Sequence, residues 1–125
     1  MTIFQRLIKS FQYAGRGIHQ AWKEEQNFRI EVSTAIIILL LASWLNLGII
    51  KISILVLTCG FVLALELVNT MIEHISDVLK PRLDHYVRQI KDLSSAAVLV
   101  AAVTAIIIGI CLLLPPLWQL LSWQA

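Results

Sequence analysis

Charge is scarce in this chain. Only 14% of the 125 residues are Asp, Glu, Lys or Arg, while 58% are hydrophobic. A soluble domain carries about 25% charged residues, so a chain this apolar, with a mean hydropathy of +0.81, reads as an integral membrane protein. It leaves no room for a separate soluble catalytic module beside the one small domain expected over residues 1–125. The net charge of +2 is too small to argue for nucleic acid as a partner. Cysteine is nearly absent too. Cys59 and Cys111 both lie inside apolar runs, which excludes a disulfide framework and a metal-ligand spacing. There is no internal repeat and no low-complexity tract. No signal peptide is expected, because Phe4 to Trp22 mixes apolar and basic residues without a compact apolar core.

What the chain does contain is one stripe of acids at membrane depth. It follows an apolar run from Ile52 to Leu65 that has no charged residue. On a helix, Glu66, Asn69, Thr70, Glu73 and Asp77 fall within roughly a 100° arc. Leu67, Val68, Met71, Ile72 and Ile75 take the opposite face. A carboxylate at such depth costs on the order of 2.5–3.5 kcal/mol on insertion scales, so it marks a site.

In chain order, Thr2 and Gln5 fit a capping box. Ile3, Phe4, Leu7, Ile8, Phe11 and Ile18 then recur at helical spacing opposite Gln5, Arg6, Lys9, Gln12, Arg16 and Lys23. A basic amphipathic helix with aromatic residues on its apolar face lies in the membrane interface, and it is expected over residues 1–28. Gly15-Arg16-Gly17 is expected to interrupt it. Lys23 to Glu31 reads as a charged hinge. Three spans follow, at 30–47, 52–79 and 93–114, each long enough to cross a core about 30 Å thick. Trp44 suits an interfacial belt. Asn46-Leu47-Gly48 is a turn, Lys80-Pro81 ends the second span, Arg82 to Asp92 is a charged connector, and Pro115-Pro116 stops the third span. Beyond it, Trp118 and Trp123 are expected to anchor the tail.

Basic residues set the orientation. Arg6, Lys9, Arg16, Lys23 and Arg29 precede the first span, and Lys80, Arg82, Arg88 and Lys91 lie between the second and third. Lys51 alone faces the other side. That asymmetry puts the N-terminus and the acidic stripe on the cytoplasmic side of the cell's inner membrane, where ATP is.

Hard carboxylate oxygens of Glu73 and Glu25 at that interface suit Mg²⁺ carried by a nucleotide. Lys91, Lys9 and Arg6 offer cations for phosphates. Glu66, deeper in a low-dielectric layer, suits a base acting on an alcohol. From the residues alone three classes stay open: lipid phosphorylation, an ion-conducting or transporting subunit, and a non-enzymatic membrane protein.

The string Glu66-Leu67-Val68-Asn69-Thr70-Met71-Ile72-Glu73-His74-Ile75-Ser76-Asp77 is followed by Lys91-Asp92-Leu93-Ser94-Ser95-Ala96-Ala97-Val98 and preceded by Asn27-Phe28-Arg29-Ile30-Glu31. From about Phe4 to Leu114 the chain resembles the small prokaryotic diacylglycerol kinases, a family that includes undecaprenol kinases. The resemblance implies an all-α homotrimer of three-span subunits with a surface helix and shared active sites, so that Glu25 and Glu66 can come from different chains. It implies transfer of the γ-phosphoryl group of ATP to diacylglycerol, giving phosphatidic acid, or to undecaprenol. Glu66 matches the proton acceptor, and Glu25 and Glu73 the Mg²⁺ ligands. Arg6, Tyr13, Asp77, Lys91 and Asp92 match nucleotide contacts, with Lys9 beside them. Asn69 matches a polar residue shaping the site, and Trp44 and Ser95 match lipid contacts. Two places depart from the pattern: Asp84-His85 in the connector, and Ser94 where the family carries a smaller Gly or Ala. Arg29 has a simpler reading as an ion-pair partner of Glu25 or Glu31, and Asp92 as a cap of the third span. Neither a Walker A lysine loop nor a protein-kinase motif set is present, so the nucleotide site is of a different kind.

Overall fold

A computed structural model of the chain describes residues 1–80 and 84–122. Pro81, Arg82 and Trp123, which the sequence reading used as a helix stop, a connector charge and an anchor, lie outside them. Four helices account for almost every described residue: α1 (Ile3–Glu24), α2 (Gln26–Trp44), α3 (Ile49–Leu79) and α4 (Asp84–Ser122). The protein is an all-α membrane protein, and α2, α3 and α4 are each long and apolar enough to cross a bilayer.

The start of α1 is fixed locally. The Gln5 amide donates to Thr2 Oγ1 at 3.3 Å and the Thr2 amide to Gln5 Oε1 at 3.0 Å, so two otherwise orphaned donors are satisfied. Along α1 only Ala21 is buried; Phe4, Phe11 and Trp22 are exposed, as a helix lying on a membrane surface requires. The helix runs through Gly15 and Gly17 without a break. A glycine costs only about 1 kcal/mol against alanine in a helix interior, too little to stop a helix capped at one end and held at the other. A Cβ at either glycine would meet nothing within 4 Å, so neither marks a close approach.

Glu25 alone separates α1 from α2. It is extended (φ −102°, ψ 112°), and its amide still donates to the Ala21 carbonyl. The surface helix therefore ends at Glu24 rather than 28, and the charged hinge contracts to one residue. Arg29 explains why the chain turns here. Its Nη1 donates to the carbonyls of Trp22 at 2.9 Å and Lys23 at 3.0 Å, which α1 leaves unpaired at its C-terminal end. Arg29 is thus a helix cap, not the ion-pair partner of Glu25 or Glu31.

The turn from α2 to α3 passes through Asn46 (φ 50°) and Gly48 (φ 84°). Both are residue types that tolerate the left-handed region. At 1.5 Å per residue α3 is about 46 Å long, so it outreaches a core of about 30 Å. Its last turns carry the acidic stripe out of the apolar layer.

From Asp84 onward the expected connector is part of α4. Asp84 stands in the first turn of that helix, where a negative charge meets the positive end of the helix dipole. It accepts from Arg88 one turn on at 3.3 Å. Charged residues here decorate a helix instead of a loop, and Asp92 lies inside α4, so it caps nothing. Nor do Pro115 and Pro116 stop α4, which continues to Ser122. They leave the carbonyls of Cys111 and Leu112 without helical donors. In an apolar surround a broken helix would orphan still more backbone groups, so the helix persists.

Packing is closest between α3 and α4, next between α2 and α3, and sparse between α1 and α2. The tight points involve small side chains: Ala42 is 0% exposed and Ala101 4%, which lets helices approach where lipid supplies no driving force. Most of each apolar span remains uncovered within one chain.

Candidate active site

Three helices contribute to one region around the stripe. Glu66 is buried on α3, with 3% exposure. Glu25, at the break between α1 and α2, and Glu73, two turns further along α3, both lie near enough for their charges to bear on Glu66. Glu31 of α2 is also within its field. One oxygen of Glu31, Oε2, is buried and has no hydrogen-bond partner among the described residues. Four carboxylates therefore lie within reach of one another's charge.

A ladder of polar contacts fastens this stripe to α4. Lys91 Nζ donates to Asp77 Oδ1 at 3.0 Å. Ser94 Oγ donates to Asn69 Oδ1 at 2.7 Å, and Asn69 Nδ2 donates to Glu73 Oε1 at 3.2 Å. Since Lys91 and Ser94 are three apart on a helix, they share a face. On the α1 side, His74 Nε2 lies 3.9 Å from Glu24 Oε2, both half-exposed. Beside Glu31 a groove of about 420 Å³ opens between α2, α3 and α4, with Ile30, Ala35, Val62, Ala102 and Ile106 in its walls.

Such an arrangement combines hard-oxygen donors, a fixed amide and a cation at the end of an apolar layer. Among the described residues no three acidic, His or Cys side chains gather closely enough to hold a metal by themselves. The donor set suits an ion that arrives with further oxygen ligands of its own.

Comparison with known proteins decides the family. The model described as prokaryotic diacylglycerol kinase matches residues 12–113. The chain belongs to that family. It is 41% identical over 116 residues to a diacylglycerol kinase of Synechocystis sp., covering 92% of this chain and 66% of that protein. It is 38% identical over 112 residues to the undecaprenol kinase of Bacillus subtilis, covering 90% and 91%. To the diacylglycerol kinase of Escherichia coli it is 33% identical over 123 residues, covering 98% and 93%. The chain is thus a lipid kinase, a transferase that moves a phosphoryl group, and the resemblance read from the stripe is correct.

Within this kinase the structure gathers Glu25, Glu66, Asn69, Glu73, Asp77 and Lys91. Asp92 is exposed on α4. Arg6, Lys9 and Tyr13 are exposed on α1 and make no hydrogen bond or ion pair to the stripe among the described residues. Tyr13 instead lies under the Arg16 guanidinium, 4.9 Å from its ring centroid. Trp44 is 65% exposed at the far end of α2, about 27 Å along the helix from Gln26. Ser95 is exposed beside Ser94. Sequence reasoning missed Ser94 as a contact of the site, and it passed over Glu24 and His74. For Ser94 the signal was present: continuing the α4 helix back through Lys91 aligns the two residues.

Proposed function

We propose that this kinase transfers the γ-phosphoryl group of ATP to the primary hydroxyl of diacylglycerol, giving phosphatidic acid. The observation that carries the proposal is the burial of Glu66 at the foot of a stripe whose upper carboxylates, Glu73 and Glu25, bear on it. Glu66 accepts the proton of the lipid hydroxyl as its oxygen bonds to the γ-phosphorus, and the bond to the β-phosphate oxygen breaks to release ADP. No covalent phosphoenzyme is required. Glu73 lies about 10.5 Å above Glu66 along the axis, too far to share its proton but suited to the phosphates.

Glu25 and Glu73 would hold Mg²⁺ together with the nucleotide's own oxygens. When bound, the ion supplies charge neutralisation at the β- and γ-phosphates. Lys91 faces the phosphates from α4, steadied by Asp77, and Asp92 with Arg6, Lys9 and Tyr13 forms the outer nucleotide contacts. Asn69 shapes the site by holding Glu73. The apolar groove beside Glu31 accepts the lipid body, with Trp44 and Ser95 as further lipid contacts. Positioning and charge neutralisation account for most of the acceleration.

All four helices act as one domain in the inner membrane, with the N-terminus and the stripe cytoplasmic, as the basic residues favour. The chain assembles as a homotrimer with shared sites, because the spans leave most of their surface uncovered and a polar stripe must not face lipid. A neighbour's part is to cover the open side.

Undecaprenol is the second substrate reading, favoured by the 38% identity to an undecaprenol kinase. Purified protein supplied with ATP and either lipid, side by side, tests both. Phosphatidic acid as the faster product supports the first reading and undecaprenyl phosphate the second. Neither product forming would overturn both.

A further inference from the structure

Most hydroxyls on these helices turn back to their own backbone. Ser33, Thr34, Thr58 and Thr104 each donate to the carbonyl four residues earlier, at 2.7–2.8 Å. Ser94 does not. With 8% exposure, it reaches from α4 to α3 and donates to Asn69 Oδ1 at 2.7 Å. The next link runs from Asn69 Nδ2 to Glu73 Oε1 at 3.2 Å.

Direction along this relay follows from its acidic end. An ionised carboxylate only accepts, so the amide must present its nitrogen to Glu73 and its oxygen to α4. Turned over, the amide would set its oxygen against a carboxylate oxygen with no proton between them. A serine hydroxyl can donate or accept, and here the amide oxygen leaves it only the donor role. Ser94 thereby locks the amide in the orientation that Glu73 needs. One oxygen of the Glu73 carboxylate is held by Asn69, and the other has no hydrogen bond among the described residues. The Lys91–Asp77 contact on the same face of α4 is more exposed and is screened by water, so the half-buried link fixes geometry more firmly.

We propose that Ser94 is a positioning residue for phosphoryl transfer, fixing through Asn69 the carboxylate of Glu73 that meets the metal–nucleotide complex. The proposal rests on the reading of Glu73 as a metal ligand. It also gives a role to a side chain larger than the Gly or Ala that the family resemblance leads one to expect there.

The test is the Mg²⁺ concentration for half-maximal effect, read both as the initial rate of the full chain at saturating ATP and diacylglycerol and as the affinity for ATP in a binding titration without lipid, for wild type, Ser94→Ala, Ser94→Gly, Ser94→Thr, Glu73→Gln and the double variant Ser94→Ala/Glu73→Gln. Loss of one half-buried hydrogen bond in the relay raises the Mg²⁺ concentration for half-maximal rate about three- to tenfold in Ser94→Ala and Ser94→Gly. The rate at saturating Mg²⁺ changes less. Threonine, which keeps the hydroxyl, restores the wild-type curve to within about twofold, a recovery that packing alone would not give. The double variant shifts no further than Glu73→Gln alone, because the two act through one carboxylate. If Glu73→Gln moves the Mg²⁺ curve while Ser94→Ala and Ser94→Gly leave it in place, or lower the rate equally at all Mg²⁺ concentrations, the role of Ser94 is overturned and that of Glu73 stands. Threonine behaving as alanine does, or shifts that add in the double variant, also overturn it. Should Glu73→Gln leave the Mg²⁺ curve unmoved, the ligand reading falls and the proposal falls with it.

Discussion

Replacing Arg29 by Met should loosen the surface helix and, through Glu25, the site. One Arg29 nitrogen closes two terminal carbonyls of α1, at 2.9 and 3.0 Å, while α1 otherwise packs sparsely on α2. Methionine keeps the apolar stem and removes both bonds. Hydrogen bonds to a charged group are worth about 1.5–3 kcal/mol each, but these share one donor nitrogen and are partly wet, so about 1.5–2 kcal/mol for the pair is reasonable. That shifts the opening equilibrium of the α1 end roughly ten- to thirtyfold. The amide of Glu25, which donates to the Ala21 carbonyl at 2.9 Å, reports on this opening directly. Hydrogen exchange in detergent micelles should show the Trp22–Glu25 amides exchanging faster by that factor, with amides in the middle of α3 unchanged. Arg29→Lys, with the charge but not the fork, should recover part of the protection. Exchange at Trp22–Glu25 that is identical in Arg29→Met and wild type would refute the capping role.

Lys91→Met should weaken MgATP binding more than Asp77→Asn does, because Asp77 acts mainly by holding the ammonium at 3.0 Å; nucleotide titration of both variants checks the order. Ala42, fully enclosed at the α2 crossing, should not tolerate bulk: Ala42→Leu is expected to cost about 1–3 kcal/mol, read as a lowered unfolding temperature in detergent.

How much was legible depended on whether the determinant was local. The Thr2–Gln5 capping box and the Asn46-Leu47-Gly48 turn are written in adjacent residues, and both form. The acidic stripe was legible because the single period of a helix places Glu66, Asn69, Glu73 and Asp77 together, whatever packs against them. The segment from Asp84 to Asp92 was misread because dense charge resembles a loop. The Asp84–Arg88 pair, four apart, was the helical signal within it. Pro115-Pro116 and Gly15-Gly17 were taken at their propensities, which an apolar surround and a well-capped helix override. Arg29 was beyond sequence reasoning, since its partners are backbone carbonyls that only the turn at Glu25 brings within reach. Ser94 was legible only in part: its spacing from Lys91 puts both on one face of α4, but its partner is 25 residues away on another helix.

The central claim is that Glu66 takes the proton while Glu73 serves the metal. It is tested most directly by measuring lipid phosphorylation against Mg²⁺ for Glu66→Gln and Glu73→Gln, with MgATP affinity alongside. Glu66→Gln should lose turnover by several orders of magnitude at every Mg²⁺ concentration and still bind MgATP nearly as wild type does, whereas Glu73→Gln should regain part of its rate as Mg²⁺ rises. A Glu66→Gln protein that is rescued by Mg²⁺, or that no longer binds MgATP, would contradict the assignment of base and ligand.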